Sequence, residues 1–478
     1  MKGATDRGAT KRDASGEPQG QRVAGHRAWR AALVGLLLPI AVGSAAQTAP
    51  QSTAPVASTP AVATPPVQAV PPTGVQLASV IEPNPTPVAS GFDVRVYEDM
   101  AQQLVADQRI PGMAMAIVKN GRIVSMRGYG ITDTKAAEPI DSHTVFRLAS
   151  LSKSFAGTMT GLLVNDGVIR WDSRVNDYLP DFHLQNEYAT QRLTVADVLS
   201  HRTGLSHNAF DRDLEGNVDY RTLTQKLAYA PAKCLPGDCY GYQNIAFSLI
   251  GDVVFAATGA FYPQEVERRI FKPLGMNDAS LGLEGIEASP RWAKPHVRGR
   301  GGWVSLMPKP SYYRVAPAAG VNASISDMAQ WLLAHGGHRP DVLSAPLLAT
   351  LHAPLVSTPG ELRGTWRRAR LNAASYAIGW RVYDYSGHQL VFHAGAVQGY
   401  RGMMALLPER DLGVAILWNS ESSLPTGLLP TILDGAIGMP SQRWLDVAPF
   451  DEGLFASRNQ QPTDDAGADA SSATAAPQ

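Results

Sequence analysis

Apolar positions recur along this chain in two periods, and the changes from one period to the other outline a fold. Between Phe92 and Gln108 they fall at Val94, Val96, Tyr97, Met100, Leu104 and Val105. That stripe predicts a helix, ended by Pro111-Gly112. Met113 to Val118 and Arg122 to Tyr129 are strand-like, and Asn120-Gly121 between them predicts a tight hairpin. Ser150 to Leu163 predicts a helix, with Leu162, Leu163 and Val164 marking a buried end. The middle of the chain alternates helix and loop. Thr194 to Leu199 and Ser326 to Ala334 predict helices, as does Ile245 to Phe255, apolar at Ile245, Leu249, Ile250, Val253 and Val254. Strands return at Gln389 to His393, Gly402 to Leu407 and Val414 to Trp418, separated by turns such as Pro408-Glu409-Arg410-Asp411. Thr426 to Ile437 predicts a last helix.

Strands at both ends with helices between them predict one sheet assembled from both ends of a domain, with a helical region inserted. This is an α/β arrangement of the α+β kind. The folded part spans about residues 91–450, long enough to bury a substantial core. Residues 47–90 are rich in Pro, Ala, Thr, Val and Ser and lack large apolar side chains, which predicts an extended, disordered linker. Residues 451–478 are of low complexity and predict a disordered tail. No internal repeat is present.

The N-terminus predicts export. Arg22, Arg27 and Arg30 precede the apolar run Ala31 to Val42, and Gly43-Ser44-Ala45-Ala46 offers a cleavage site, so residues 1–46 read as a signal peptide. The apolar run is short for a membrane span, and an uncleaved anchor is the alternative. No Arg-Arg pair precedes the run, and no cysteine stands at the cleavage site. General secretion is therefore favoured over the twin-arginine route, and lipoprotein anchoring is unsupported. The chain carries 42 basic and 42 acidic residues; loss of the seven basic and three acidic residues in the leader leaves 35 and 39, a net charge of −4. No basic patch interleaved with aromatics appears, so nucleic acid is not an expected partner.

Cys234 and Cys239 flank the turn-forming Pro236-Gly237-Asp238. In a periplasmic or secreted protein a disulfide is favoured over two reduced thiols. No Cys/His spacing here suits a metal ion.

The residues with the most chemistry are Ser150 and Lys153. In a helix they share a face, so the amine reaches the hydroxyl one turn back and can serve as its base. A Ser-x-x-K pair alone also fits an ordinary helix start with Ser150 as its cap. Other segments follow in order: Leu199-Ser200-His201-Arg202-Thr203-Gly204-Leu205, Tyr242-Gln243-Asn244, Pro273-Leu274-Gly275-Met276, Ser324-Ile325-Ser326-Asp327-Met328 and His393-Ala394-Gly395. With these in place, the span from about residue 95 to 440 resembles the serine β-lactamase-type hydrolases. It is most similar to the branch of class C β-lactamases, DD-carboxypeptidases, esterases and D-aminopeptidases.

The resemblance implies a β-lactamase/transpeptidase-like fold with an antiparallel sheet. It implies catalysis by Ser150, Lys153 and Tyr242 through an acyl-enzyme, with no metal or organic cofactor. Tyr242 is expected to be a shared acid and base, its phenol shifted toward phenolate by Lys153. Asn244 is expected to bind a substrate amide and Lys153, or to cap the helix that follows it. The backbone N–H groups of Ser150 and Ala396 would form the oxyanion hole. Gly395 would let substrate approach the backbone, and His393 would sit at the substrate.

His393-Ala394-Gly395 stands where the family has Lys-Thr-Gly or His-x-Gly. Against the penicillin-recognising members with Lys-Thr-Gly, His393 and Ala394 weaken carboxylate recognition and favour ester, amide or D-amino-peptide substrates over β-lactams. His201 reads as loop-ordering, and His143 has no evident role. Trp380, Tyr383 and Tyr400 are candidates to line the cleft or to pack in the core. The partner expected is a small-molecule or peptide substrate, peptidoglycan-derived material among them. A carboxylesterase or D-aminopeptidase with little β-lactam activity is one alternative, and a penicillin-binding sensor with poor turnover is another.

Overall fold

A computed structural model describes residues 85–440 and 442–445. The expected signal peptide, nearly all of the expected linker and the C-terminal tail lie outside the described residues. Within them the elements that position the site run in chain order as follows. Helix α1 (Val94–Val105) leads to strands β1 (Gly112–Lys119), β2 (Arg122–Asp133) and β3 (Ala136–Pro139). Helices α2 (Ser152–Asn165), α3 (Val195–Leu199), α4 (Ile245–Thr258) and α5 (Ile325–Leu333) belong to the inserted region. Strands β4 (Val356–Ser357), β5 (Leu371–Tyr376), β6 (Arg381–Tyr385), β7 (His388–Val397), β8 (Tyr400–Leu407) and β9 (Leu412–Trp418) then precede α6 (Leu428–Ile437).

The nine strands form one antiparallel sheet in the order β3-β2-β1-β9-β8-β7-β6-β5-β4. The join between its halves is β1 against β9, from Met113 opposite Trp418 to Lys119 opposite Leu412. The sheet is thus built from both ends of the domain. At the β1–β2 hairpin Asn120 and Gly121 are both left-handed, at φ 51 and 68. That is the conformation that the Asn-Gly pair adopts at least cost and that matches strand twist.

Alternation along β1 divides the core. Met113, Met115 and Ile117 point to a layer shared with α1 and α6, whereas Ala114, Ala116 and Val118 point to the helical region. Both faces are covered, which is why β1 reads as an almost continuous apolar run. Helix α5 packs on β1 and β9 from the second side. Helix α2 lies deeper, with Ser152 to Gly161 all buried.

Several boundaries differ from expectation. The first helix stops at Val105 and tightens into a 3₁₀ turn in which Asp107 is left-handed. The helix expected from Ser150 starts as a 3₁₀ turn over Ala149–Leu151 and becomes α-helical only at Ser152. Strands β3 to β6 are additional to those predicted. Chain contact with the domain also begins ahead of residue 91: the Thr86 N–H donates to the Glu409 carbonyl, and the Ala89 N–H to that of Ala436.

Candidate active site

The site lies where the inserted helical region meets the edge of β7. Ala149, directly before the nucleophile candidate, is buried and left-handed at φ 49. This backbone conformation is costly for alanine and is held by the packing around it. The turn presses on β7 at Gly395. A Cβ at residue 395 would stand 2.3 Å from the Leu148 carbonyl oxygen and 3.1 Å from the Ser150 nitrogen. The missing Cβ makes room for the Ser150 turn, and the same glycine lines the cleft, where it was expected to admit a substrate.

Four predicted residues meet here. The Tyr242 hydroxyl donates to Ser150 Oγ at 2.9 Å. Lys153 Nζ is 3.3 Å from Ser150 Oγ, 2.8 Å from Asn244 Oδ1 and 3.1 Å from the Ala318 carbonyl oxygen. Nζ also lies 4.6 Å from the centre of the Tyr242 ring. Asn244 Nδ2 donates to Asp211 Oδ2 at 2.7 Å. The Asn244 side chain accepts nothing from the first N–H groups of α4, so its amide serves this network and is not a helix cap. Ser150, Tyr242, Asn244, Gly395 and Ala396 all line one cleft.

Burial sets the protonation of the pair. Lys153 is fully buried, and this holds its amine well below the ordinary lysine range; Asp211 opposes the shift and Arg381 adds to it. The Tyr242 phenol is not shifted toward phenolate as expected. Burial pushes it up, and the largest opposing charge is Arg381 rather than Lys153. The site therefore pairs an amine whose proton is held less tightly than usual with a phenol that holds its proton more tightly than usual, around Ser150.

The loop carrying Tyr242 is tied down from two sides. His201 is buried, and its Nδ1 accepts from the Gln243 N–H at 3.2 Å, while the Gly241 N–H donates to the His201 carbonyl. His207 Nδ1 accepts from the Tyr242 N–H at 3.1 Å. Ahead of it Cys234 and Cys239 are bonded to each other, and the Lys233 and Gly237 N–H groups bond the carbonyls of Gly204 and Arg202. The segment Leu199 to Leu205 thus acts as a clamp on the approach to Tyr242.

His393 is not in the cleft. It is fully buried on β7, and its Nε2 lies 3.0 Å from the Tyr376 hydroxyl. Burial, then Arg381, holds its imidazole well below the usual range, so it is neutral. Among the described residues two cations line the cleft wall. One is Arg401 on β8, whose Nε donates to the Glu421 carbonyl at 3.2 Å. The other is Arg381 at the start of β6, paired with Glu361, which also holds Arg367 at 2.5 Å and accepts from the Tyr383 hydroxyl at 3.2 Å. The Arg381 guanidinium lies 5.5 Å from the Tyr242 ring centre.

Arg381, Glu361, Asp211 and His207 escaped sequence reading. The signal for the first was the Ser386-Gly387 pair after β6, left-handed at φ 54 and 92, which marks a β6–β7 hairpin. Trp380 packs in the core beside His335, and Tyr400 is buried with its hydroxyl donating to the Ala293 carbonyl. His143 pairs with Asp278 at the surface. Among the described residues no group of three or more His, Cys, Asp or Glu is placed to hold a metal ion, and no single helix is long and apolar enough to cross a membrane.

Comparison with known proteins places this arrangement. Residues 97–436 match the family model described as Beta-lactamase. A protein named unguisins hydrolase from Aspergillus campestris is 27% identical over 363 residues, 74% of this chain and 66% of the relative. Protein flp of Staphylococcus aureus is 25% identical over 316 residues, 66% of this chain and 60% of the relative. The chain thus spans just under two thirds of these two relatives' lengths. The octameric penicillin-binding protein homologue from Pyrococcus abyssi superposes with a TM-score of 0.65 at 24% identity, covering 74% of this chain and 79% of that one. A class C β-lactamase mutant superposes with a TM-score of 0.57 at 18% identity, covering 72% and 96%.

Proposed function

Since this chain belongs to the Beta-lactamase family, whose members are serine hydrolases, we propose that it hydrolyses ester or amide acyl donors through an acyl-enzyme on Ser150. The observation that carries this is the placing of the Ser150 hydroxyl between the buried Lys153 amine and the Tyr242 phenol. In acylation the Ser150 proton passes to Lys153 Nζ as Oγ bonds to the carbonyl carbon. The oxyanion is met by the Ser150 and Ala396 N–H groups. Tyr242 gives its proton to the leaving group as the scissile bond breaks, and Lys153 returns a proton to Tyr242. Water then attacks the acyl-enzyme with the same groups in reverse.

Substrate preference follows from the cleft wall. The neutral His393 lies behind Tyr376, and the Arg381 charge is already answered by Glu361. A substrate carboxylate must displace Glu361 to use Arg381. Arg401 lines the same cleft, so the preference for esters and peptides, D-amino peptides included, over penicillins rests on the absence of a cation at residue 393. Export to an oxidising compartment belongs to the same proposal. It is supported by the basic-then-apolar N-terminus and by the Cys234–Cys239 bond.

The test is a substrate panel of an activated ester, a D-alanyl peptide and a penicillin, assayed with wild type and with Ser150→Ala. Ser150-dependent turnover of the ester or peptide at a higher kcat/KM than of the penicillin is expected. Preferential penicillin hydrolysis would refute the substrate assignment. Turnover that survives Ser150→Ala would refute the mechanism.

A further inference from the structure

Lys153 has two shorter contacts, and both are with oxygens that can only accept: Asn244 Oδ1 at 2.8 Å and the Ala318 carbonyl at 3.1 Å. In the form that can take the Ser150 proton, the amine has two N–H groups and one lone pair. If both N–H groups are given to these oxygens, the lone pair is left facing the third neighbour, Ser150 Oγ. The arrangement depends on which way the Asn244 amide points. With its NH2 turned toward Lys153, the lone pair would accept from Asn244 and be lost to Ser150. The other side of the amide faces Asp211, and an ionised carboxylate accepts and cannot donate.

We propose that Asp211 is a positioning residue: by accepting from Asn244 Nδ2 it fixes that amide, so that Lys153 turns its lone pair on Ser150. The chain of contacts runs Asp211 Oδ2 to Asn244 Nδ2, Asn244 Oδ1 to Lys153 Nζ, and Nζ to Ser150 Oγ. The inference rests on the acyl-enzyme reading given above.

Asp211 is 9% exposed; Tyr312 and Glu215 also face its carboxylate, and among the described residues its Oδ1 has no hydrogen bond of good geometry. A buried carboxylate with an unmet oxygen costs stability. Burial pushes its own titration up, and the Asn244 hydrogen bond and the Lys153 charge, the groups of the proposed chain, favour its ionised form. The charged or titratable groups around Lys153 are Asp211 through Asn244, Arg381 on β6, Tyr242, His201 and His393. Of these, Asp211 is the acidic one, and it raises the Lys153 pKa while Arg381 lowers it.

The experiment uses the full chain with nitrogen-15 lysine, as wild type, Asp211→Asn and Asp211→Leu. NMR follows the Lys153 Nζ signal with pH, and single-turnover acylation by an activated ester follows Ser150. With Asp211→Leu the Nζ titration is expected to move to lower pH and acylation to fall on the order of 10²-fold, the size of a misdirected general base. The melting temperature is expected to hold or rise. Asp211→Asn, which can still present an oxygen to Asn244, is expected to acylate faster than Asp211→Leu while its Nζ signal also moves. An unmoved Nζ titration in both variants, or wild-type acylation in Asp211→Leu, would overturn the proposal. A wild-type protein that acylates nothing would instead overturn the acyl-enzyme reading, and the Nζ titration would still decide the role of Asp211.

Discussion

Substituting Gly395 by alanine adds one methyl group at the point where β7 meets the nucleophile turn. The new Cβ would lie 2.3 Å from the Leu148 carbonyl oxygen, 3.1 Å from the Ser150 nitrogen and 3.2 Å from the Leu151 nitrogen. All three are backbone atoms, so no side chain can rotate away. Ordinary contact requires the turn and the strand to separate by about 1 Å, and overpacking of this kind costs about 1–3 kcal/mol of stability. The chemical cost is larger. Ser150 and Ala396 stand on opposite sides of this contact and are the two expected oxyanion donors. A misplacement of about 1 Å in such a site loses on the order of 10²-fold in rate. Stopped-flow acylation by an activated ester, with a thermal melt of the same sample, measures both. The expected result is a folded protein, modestly destabilised, with acylation slowed at least 10²-fold. A Gly395→Ala protein that acylates and melts like wild type would refute the packing argument and the oxyanion assignment with it.

Other expectations concern the surroundings. His393→Lys would bury an ammonium behind Tyr376 and cost about 3 kcal/mol or more, with no tighter binding of carboxylate-bearing acyl donors; improved penicillin affinity would put residue 393 in the cleft. Arg381→Gln would leave Glu361 with one fewer cation and remove the largest charge that opposes the rise of the Tyr242 phenol. The alkaline limb of the pH–rate profile should then move to higher pH, and an unmoved limb would separate Arg381 from Tyr242. His201, His335 and His393 are held well below the usual imidazole range by burial, and His352 is pushed down to about 3. The unfolded chain therefore binds more protons below about pH 6.5, and the stability these groups contribute is present above that pH and lost as pH falls. Asp327, pushed up to about 6, works in the opposite sense and offsets about one of them. Urea melts should lose more than about 1.4 kcal/mol per pH unit between about pH 6.5 and 5; a flat or rising stability would contradict the burial account. Replacing Cys234 and Cys239 together by serine should cost about 2 kcal/mol for so short a loop and slow acylation through the Tyr242 loop; unchanged kinetics would uncouple that loop from the site.

Pattern alone carried the two-ended sheet. The Asn120-Gly121 turn and the apolar runs of β1, β8 and β9 are local signals, and the sheet they build needs no long-range information beyond burial. Motif order likewise brought Ser150, Lys153, Tyr242 and Asn244 together. The rest depended on tertiary surroundings. Asp211 opens the run Asp-Arg-Asp-Leu-Glu, which reads as a solvated helix face, yet the fold buries its carboxylate against Asn244. Arg381 and Asp384 interrupt the apolar character of β6, and the partner that makes sense of the first, Glu361, lies twenty residues away. The direction of the Tyr242 shift was missed for the same reason. Motif spacing shows a lysine nearby but not how much water has been removed from the phenol.

Intact-protein mass spectrometry after brief incubation with an activated ester and, separately, with a penicillin tests the central claim most directly. With wild type the account predicts a transient gain of one acyl mass from the ester, localised to the peptide bearing Ser150 and absent in Ser150→Ala. It predicts little or no penicilloyl adduct and little penicillin loss. An acyl group that persists in Ser150→Ala, or ester turnover without any Ser150 dependence, would contradict it.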